Sequence, residues 1–193
     1  MPSKIIKFSS GGGCGCKVPP SILDRLLEGS PSSQFFPDLL VGLDQADDAA
    51  VYRINATQAL VATTDFFTPI VDDPYQFGRI AAVNAFSDIY AMGGTPIMGL
   101  SVLGFPMNEI SESDVRKILE GANAVCNKIM VPIAGGHSID SKELFYGLVA
   151  LGSLNPKNLK MNSKGRHNDR LILTKPLGVG IISAGLRKNV VSP

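Results

Sequence analysis

The sequence has no tryptophan, only two histidines and only three cysteines in 193 residues. Three cysteines (Cys14, Cys16 and Cys126) are an odd number for a disulfide framework, which favours a reducing compartment, and we expect the cytoplasm. Eighteen basic against seventeen acidic residues leave a net charge of +1, which predicts no binding to nucleic acid or to an anionic membrane. The first ten residues lack the apolar core of a secretory signal, and no apolar run approaches a membrane span.

The residues that are present predict a globular fold of mixed α+β (α/β) class. Hydrophobic residues make up 45% and charged residues 18% of the chain, as in ordinary folded domains. Hydrophobic spacing and turn signals predict helices over Ser21–Leu27, over Tyr75–Met92, from a capping box of Ser111 and Asp114 onward, and just after Lys175–Pro176, and strands over Leu60–Thr64, Ile97–Leu103, Met130–Ala134, Phe145–Leu154 and Leu171–Thr174. The last helix starts close to the end of the sequence, so we expect the chain to be part of a longer protein.

Four aspartates are candidates for phosphate chemistry that requires magnesium. Asp47 and Asp48 occupy a turn, Asp65 ends a predicted strand, and Asp88 lies inside an apolar helix. A carboxylate in an apolar helix is costly unless it is paired or binds a metal, and Mg²⁺ prefers carboxylate oxygens and waters. The alternative is a buried Asp88 that is satisfied by backbone donors or by Arg79.

Two glycine-rich segments, 11–13 and 134–138, could bring backbone N–H groups close to phosphates. Neither has the GxxxxGK[ST] pattern of a P-loop, and such segments are more often plain turns. His137 is expected in the second glycine turn, where it either contacts a nucleotide or simply faces solvent or caps the turn.

Cys14 and Cys16 flank a glycine and precede Lys17. A neighbouring ammonium favours the thiolate, which is the reactive form of cysteine. A reactive, substrate-facing Cys14 or Cys16 is the simplest interpretation. The alternatives are half of a zinc site, for which the chain has few further ligands, or inert surface cysteines, whereas Cys126 is expected in the core.

Together these segments resemble the selenide, water dikinase (selenophosphate synthetase) family of the aminoimidazole ribonucleotide synthetase-like superfamily. The resemblance rests on GCGCK at 13–17, DDAAVY at 47–52, TTDFF at 63–67, FGRIAAVNAFSDIYAMGG at 77–94, AGGHSID at 134–140 and LTKPLGVG at 173–180. It implies the N-terminal ATP-binding domain of that fold, in which a mixed sheet packs against helices and the sheets pair across a homodimer. It also implies that ATP, selenide and water react to give selenophosphate, AMP and phosphate.

The resemblance also implies roles for individual residues and for regions of the chain. Cys14 and Lys17 would be catalytic, Asp48 and Asp88 would bind Mg²⁺, and the ATP contacts would be Lys17, Gln45, Ala46, Asp47, Asp65, Asp88, Gly136, His137 and Ser138. Residues 1–48 would be a flexible segment with the cysteines and the acidic turn, residues 49–155 the ATP- and magnesium-binding domain, and residues 156–193 a linker and the truncated start of a C-terminal domain.

Two other functions remain open at this point. The chain could be another small-molecule kinase or synthetase of the superfamily, although that superfamily does not share GCGCK and a soft thiol suits selenium chemistry. It could also be a truncated homologue that binds nucleotide and dimerises without turnover, which the early end of the sequence favours.

Overall fold

A computed structural model describes residues 4–8, 17–29, 35–187 and 190, and their core is one mixed sheet with helices packed against it. Cys14, Cys16 and the glycines at 11–13 lie outside the described residues. The elements are helices α1 (Pro20–Leu27), α2 (Pro74–Ala91), α3 (Glu112–Lys128) and α4 (Val179–Arg187), strands β1 (Leu39–Val41), β2 (Ala50–Arg53), β3 (Ala59–Phe67), β4 (Thr95–Phe105), β5 (Ile133–Asp140) and β6 (Phe145–Leu154), and short 3₁₀ turns at Ile5–Phe8, Leu43–Gln45, Pro156–Asn158 and Asn162–Lys164. None of the described helices is both long and apolar enough to cross a membrane.

The sheet has six strands in the order β1-β2-β3-β6-β4-β5. Every neighbouring pair is antiparallel except β4 and β5, which are parallel and joined through α3. The register aligns Asp65 of β3 with Leu148 of β6, then with Ser101 of β4 and Gly136 of β5, in one row across the sheet. This row relates the two segments that the sequence marks as candidate nucleotide contacts.

Helix α2 covers one face of the sheet and supplies much of the core. Its residues Phe77, Ala81, Ala85 and Ile89 are fully buried, and they recur at helical spacing, which places them on one side of the helix. Helix α3 packs against α2 so closely that a Cβ atom on Gly78 would lie 1.9 Å from the backbone oxygen of Ile118. The lack of a side chain at this position therefore allows the two helix backbones to touch.

The four predicted helices are confirmed. They could be predicted because the residues that begin and end a helix are local in sequence. Asp73 caps α2 by accepting a hydrogen bond from Gln76 N, and Gly93 follows the helix with a φ of +77°, as expected for a C-terminal glycine. Ser111 caps α3 and accepts from Asp114 N. Cys126 is buried in the core as expected.

Two predicted strands are wrong: one is displaced along the sequence and the other does not form. The strand expected over Met130–Ala134 instead runs from Ile133 to Asp140, so His137 lies inside a strand rather than in a glycine turn. The segment Leu171–Thr174 is not a strand, and Leu171 is 99% exposed. Branched residues raise strand propensity, but an isolated segment without a partner strand cannot satisfy its backbone groups by pairing.

The two strands β1 and β2 are absent from the prediction, and β3 extends beyond its predicted end. Asp65 consequently lies inside β3 and not at its end. Strand β1 has only three residues and β2 only four, and windows of this length carry little periodic signal.

Candidate functional site

A cluster of acidic and polar side chains forms where β3 meets α2. Thr63 and Asp65 are two residues apart on β3 and therefore point to the same face of the sheet, which is the face that α2 covers. Thr63 Oγ1 donates a hydrogen bond of 2.8 Å to Asp88 Oδ2 on α2. Lys17 Nζ lies 3.3 Å from Asp65 Oδ1. These residues come from three separate parts of the sequence, and the fold brings them together.

The ion pair between Lys17 and Asp65 joins an exposed partner to a buried one. The Lys17 side chain is 65% exposed, whereas that of Asp65 is 11% exposed. An ion pair with one exposed partner contributes little to stability. Its significance is that it holds the ammonium of the cysteine-lysine motif beside the carboxylates.

Burial and two neighbouring carboxylates disfavour the ionised form of Asp88. Burial raises the pKa of Asp88 above its ordinary value, and the nearby charges of Asp65 and Asp48 raise it further, while the hydrogen bond from Thr63 and the charge of Lys17 lower it. Arg79, the alternative partner, donates instead to Gln76 Oε1 at 2.9 Å. A half-buried carboxylate that is repelled by two others is a favourable position for a cation.

The acidic turn that carries Asp48 is held by local hydrogen bonds. Gln45 Oε1 accepts from Gly42 N at 2.7 Å, Ala46 adopts a left-handed φ of 47°, and Asp47 Oδ1 accepts from Asp48 N at 3.1 Å. The Gln45 side chain is therefore engaged in capping the 3₁₀ turn, and its backbone N also donates to Gly42 O at 3.3 Å.

Asn162 also contacts this turn, although no signal in the sequence indicated it. Its backbone N donates to Asp47 Oδ2 at 3.0 Å, and its Nδ2 lies 3.4 Å from Asp48 Oδ2. Residues 114 and 115 positions apart meet only through the tertiary structure.

The donor set fits Mg²⁺ that is shared with phosphate oxygens. Within the described residues no group of three or more His, Cys, Asp or Glu side chains is placed to hold a metal by itself. The charge of Asp48 is near enough to Asp88 to raise the pKa of the Asp88 carboxyl. Mg²⁺ commonly binds through one or two carboxylates, with substrate phosphates and waters as the remaining ligands.

The segment Gly136–Ser138 lies away from the acidic cluster within the chain. Gly136 is three strands from Asp65 in the same row, which corresponds to about 14 Å at the usual strand spacing. A Cβ on Gly136 would lie 2.1 Å from Ser101 O, and its φ is +153°, so only glycine fits there. His137 and Ser138 are exposed on the edge strand β5.

A cavity of about 350 Å³ lies beside this segment, and its lining includes His137, Ser138, Ser101 and Tyr146. Burial raises the pKa of the Tyr146 phenol to about 12, and Ser101 partly offsets the rise. The hydroxyl nevertheless has no hydrogen-bond partner of ordinary geometry among the described residues.

The fold corresponds to a known class of domain. Residues 46–154 match the family described as AIR synthase related protein, N-terminal domain, and the chain belongs to this family. The predicted α+β class and superfamily are thereby confirmed, whereas the pairing of sheets across a dimer stays a prediction.

Curated relatives show a more specific similarity than the family as a whole. The chain is 60% identical to a selenide, water dikinase of Pseudomonas straminea over 189 residues, which are 97% of this chain and 53% of the relative. A selenide, water dikinase of Rhizobium meliloti is 50% identical over 193 residues, 100% of this chain and 55% of the relative. The resemblance seen in the motifs is confirmed, and the chain spans about half the length of the curated relatives it matches.

Solved structures share the fold at low sequence identity. The protein tt0281 from Thermus thermophilus has a TM-score of 0.58 at 19% identity, covering 74% of this chain and 45% of its own. AaThiL complexed with AMPPCP and TMP has a TM-score of 0.54 at 22% identity, covering 69% of this chain and 40% of its own. These likenesses support the architecture alone.

Proposed function

We propose that this chain is the ATP-binding part of an enzyme that forms selenophosphate. In the reaction, ATP, selenide and water give selenophosphate, AMP and phosphate. The observation that carries the proposal is the contact of Lys17 with Asp65, because it joins the cysteine-lysine motif to the acidic cluster. The dikinase relatives, at 50% to 60% identity, support the choice of selenide as substrate.

Each residue of the cluster has a role in this proposal. Mg²⁺ held by Asp48 and Asp88 would neutralise phosphate oxygens of the bound nucleotide. Lys17 places a positive charge where the transferred phosphoryl group develops negative charge, and Asp65 orients that ammonium. Thr63 fixes the rotamer of Asp88 through its hydrogen bond.

The acidic turn and the thiol segment complete the proposed site. Gln45, Ala46 and Asp47 contact the nucleotide from the turn, where the backbone is already held by local hydrogen bonds. Cys14 is three residues from Lys17, so covalent geometry alone keeps the two Cα atoms within about 11 Å. Cys14 therefore acts close to the phosphates, with Cys16 as the alternative thiol.

The proposal includes a homodimer in the cytoplasm. Tyr52 and Phe66 are each about half exposed, and both lie on the sheet face opposite α2, since they alternate with buried neighbours on β2 and β3. An apolar sheet face of this kind favours pairing with a second copy. In such a dimer Gly136, His137 and Ser138 contact the nucleotide near the interface.

The decisive experiment measures AMP release from ATP and Mg²⁺ with and without selenide, under anaerobic reducing conditions. Selenide-dependent AMP release supports the proposal and shows that this chain suffices. ATP binding without AMP release favours a nucleotide-binding fragment, which the half-length coverage of the relatives makes the second candidate. ATP consumption that depends on thiamine phosphate instead indicates another kinase of the superfamily.

Replacing Cys14 by serine is expected to reduce selenophosphate formation by about 100-fold or more, because an alcohol at neutral pH supplies almost no anionic nucleophile. ATP binding should stay within about twofold, since the thiol is not one of the carboxylates that hold Mg²⁺. Selenide-dependent AMP release and ATP titration provide the two readouts. Cys16→Ser is the matched control, and loss of turnover in that variant alone would transfer the role to Cys16.

A further inference from the structure

Asn162 holds both carboxylates of the acidic turn from outside it. Asp47 receives a donor on each oxygen, Asp48 N on Oδ1 and Asn162 N on Oδ2. Asp48 receives the Asn162 side-chain amide on Oδ2. Within the described residues no hydrogen bond to Asp48 Oδ1 is found, so that oxygen is available to a cation.

The segment that carries Asn162 is fastened to the end of helix α2. Lys160 N donates to Met92 O at 3.0 Å, and Leu159 and Met161 pack against the hydrophobic core. Gly93 is so close to this segment that a Cβ atom there would lie 2.7 Å from Asn158 O. The segment therefore forms a brace, residues 158–162, whose position follows that of α2.

The two proposed magnesium ligands, Asp48 and Asp88, are connected through the fold in two ways, because helix α2 carries Asp88 and also contacts the brace. One route runs from Asp88 through Thr63 to strand β3, and β3 pairs with β2, which directly follows the acidic turn. The other runs from α2 through the brace to Asp47 and Asp48. Two independent attachments restrict the distance between Asp48 and Asp88 more tightly than one.

The amide of Asn162 supplies donors without supplying charge. A lysine or arginine here would neutralise the carboxylates and compete with a cation, whereas neutral N–H donors orient them and leave their charge available. We propose that Asn162 is a positioning residue, which sets the geometry of Asp47 and Asp48 for binding magnesium with a nucleotide. The inference rests on the proposed function for its ligand, but the brace itself is tested separately.

Two substitutions remove the donors one at a time. Asn162→Ala removes the Nδ2 donor to Asp48 and keeps the backbone donor to Asp47. Asn162→Pro removes both, and it suits the backbone, because Asn162 is the first residue of the 3₁₀ turn Asn162–Lys164 and Met161 before it has an extended ψ of 141°. Ser163→Ala changes the exposed next residue and serves as the control.

The first measurement is amide hydrogen exchange at Asp48, whose N–H is bonded to Asp47 Oδ1. We expect exchange to be about threefold faster in Asn162→Ala and about tenfold faster in Asn162→Pro, as expected for the loss of one and two modest hydrogen bonds. Ser163→Ala should match the wild type. If all four proteins exchange at one rate, the brace does not hold the turn and the inference is overturned.

The second measurement is the Mg²⁺ concentration that gives half-maximal ATP binding. We expect this concentration to rise about threefold in Asn162→Ala and about tenfold in Asn162→Pro. A fall in turnover with an unchanged Mg²⁺ midpoint would overturn the positioning role. If the wild type binds no ATP at any Mg²⁺ concentration, the proposed function fails, and the exchange measurement still decides the brace. If Asn162→Pro does not fold, Asn162→Ala carries the test alone.

Discussion

Replacing Asp88 by asparagine should make the free protein more stable and its magnesium-dependent ATP binding much weaker. The substitution removes a half-buried negative charge whose pKa is raised by burial and by the neighbouring Asp65 and Asp48. Asparagine keeps an oxygen that can accept the hydrogen bond from Thr63. The loss of a direct Mg²⁺ ligand should cost at least as much as the 10- to 100-fold typical of outer-shell partners, so we expect a decrease on the order of 100-fold.

The pH dependence of stability follows from the direction of the Asp88 shift. Because the folded pKa lies above the unfolded one, the stability associated with protonated Asp88 is complete below the unfolded pKa and is lost as the pH rises through the folded pKa. The wild-type protein therefore loses this contribution as the pH rises, whereas a protein without the carboxylate does not. Asp88→Asn should gain melting temperature at pH 7 and gain less as the pH falls towards 4.

Thermal melts at several pH values, with and without Mg²⁺ and ATP, measure both effects. Asp72→Asn removes an exposed carboxylate just before α2 and is the control for the change in net charge. Equal stability of Asp88→Asn and wild type at pH 7 would show that the charge carries no cost. Undiminished ATP binding by Asp88→Asn would remove Asp88 from the magnesium site.

Replacing Gly78 by alanine should destabilise the fold strongly, although the change is a single methyl group. The new Cβ would lie 1.9 Å from Ile118 O and 3.1 Å from Ala122 N, which are backbone atoms of α3 that cannot move without separating the helices. Overpacking of this kind costs about 3 kcal/mol. For a chain of this size that corresponds to a melting temperature about 10 °C lower.

Gly165→Ala is the matched control, since nothing lies within 4 Å of a Cβ atom at that position and its φ is not in the left-handed region. We expect its melting temperature to differ from that of the wild type by no more than about 2 °C. Calorimetry or circular dichroism of the three proteins makes the comparison. A Gly78→Ala protein that melts with the wild type would mean that α2 and α3 are not in direct backbone contact.

Much of the candidate site could be predicted because its residues occur in short, specific motifs. The motifs indicate Lys17, Asp48, Asp65 and Asp88. The structure connects them through the ion pair of Lys17 with Asp65 and through the electrostatic effect of the other three on the pKa of Asp88. Asp88 was informative from the sequence alone, because a carboxylate in an apolar helix requires an explanation. The fold adds Thr63 as its hydrogen-bond partner, which no motif required.

Other parts of the site could not be predicted, because they depend on contacts between distant segments. The sequence predicts a linker at Asn162, and the donors of Asn162 matter only because the brace lies against the acidic turn. The glycine-rich segment 134–138 predicts a turn, but Gly136 is a strand residue that meets the backbone of Ser101. The local sequence shows that a glycine can adopt unusual backbone angles. It does not show which neighbouring atoms leave no room for a side chain at that position.

The sequence by itself determined the helices, the α+β class and the set of chemically capable side chains. Helix caps, hydrophobic spacing and motif residues are local properties, so they can be recognised without knowing the tertiary contacts. Only the tertiary structure decided the strand order, the row that relates Asp65 to Gly136, and the second attachment of the acidic turn through Asn162. The physical reason is that strand pairing and the hydrogen bonds of Asn162 join residues far apart in sequence, whose meeting depends on the packing of the whole domain.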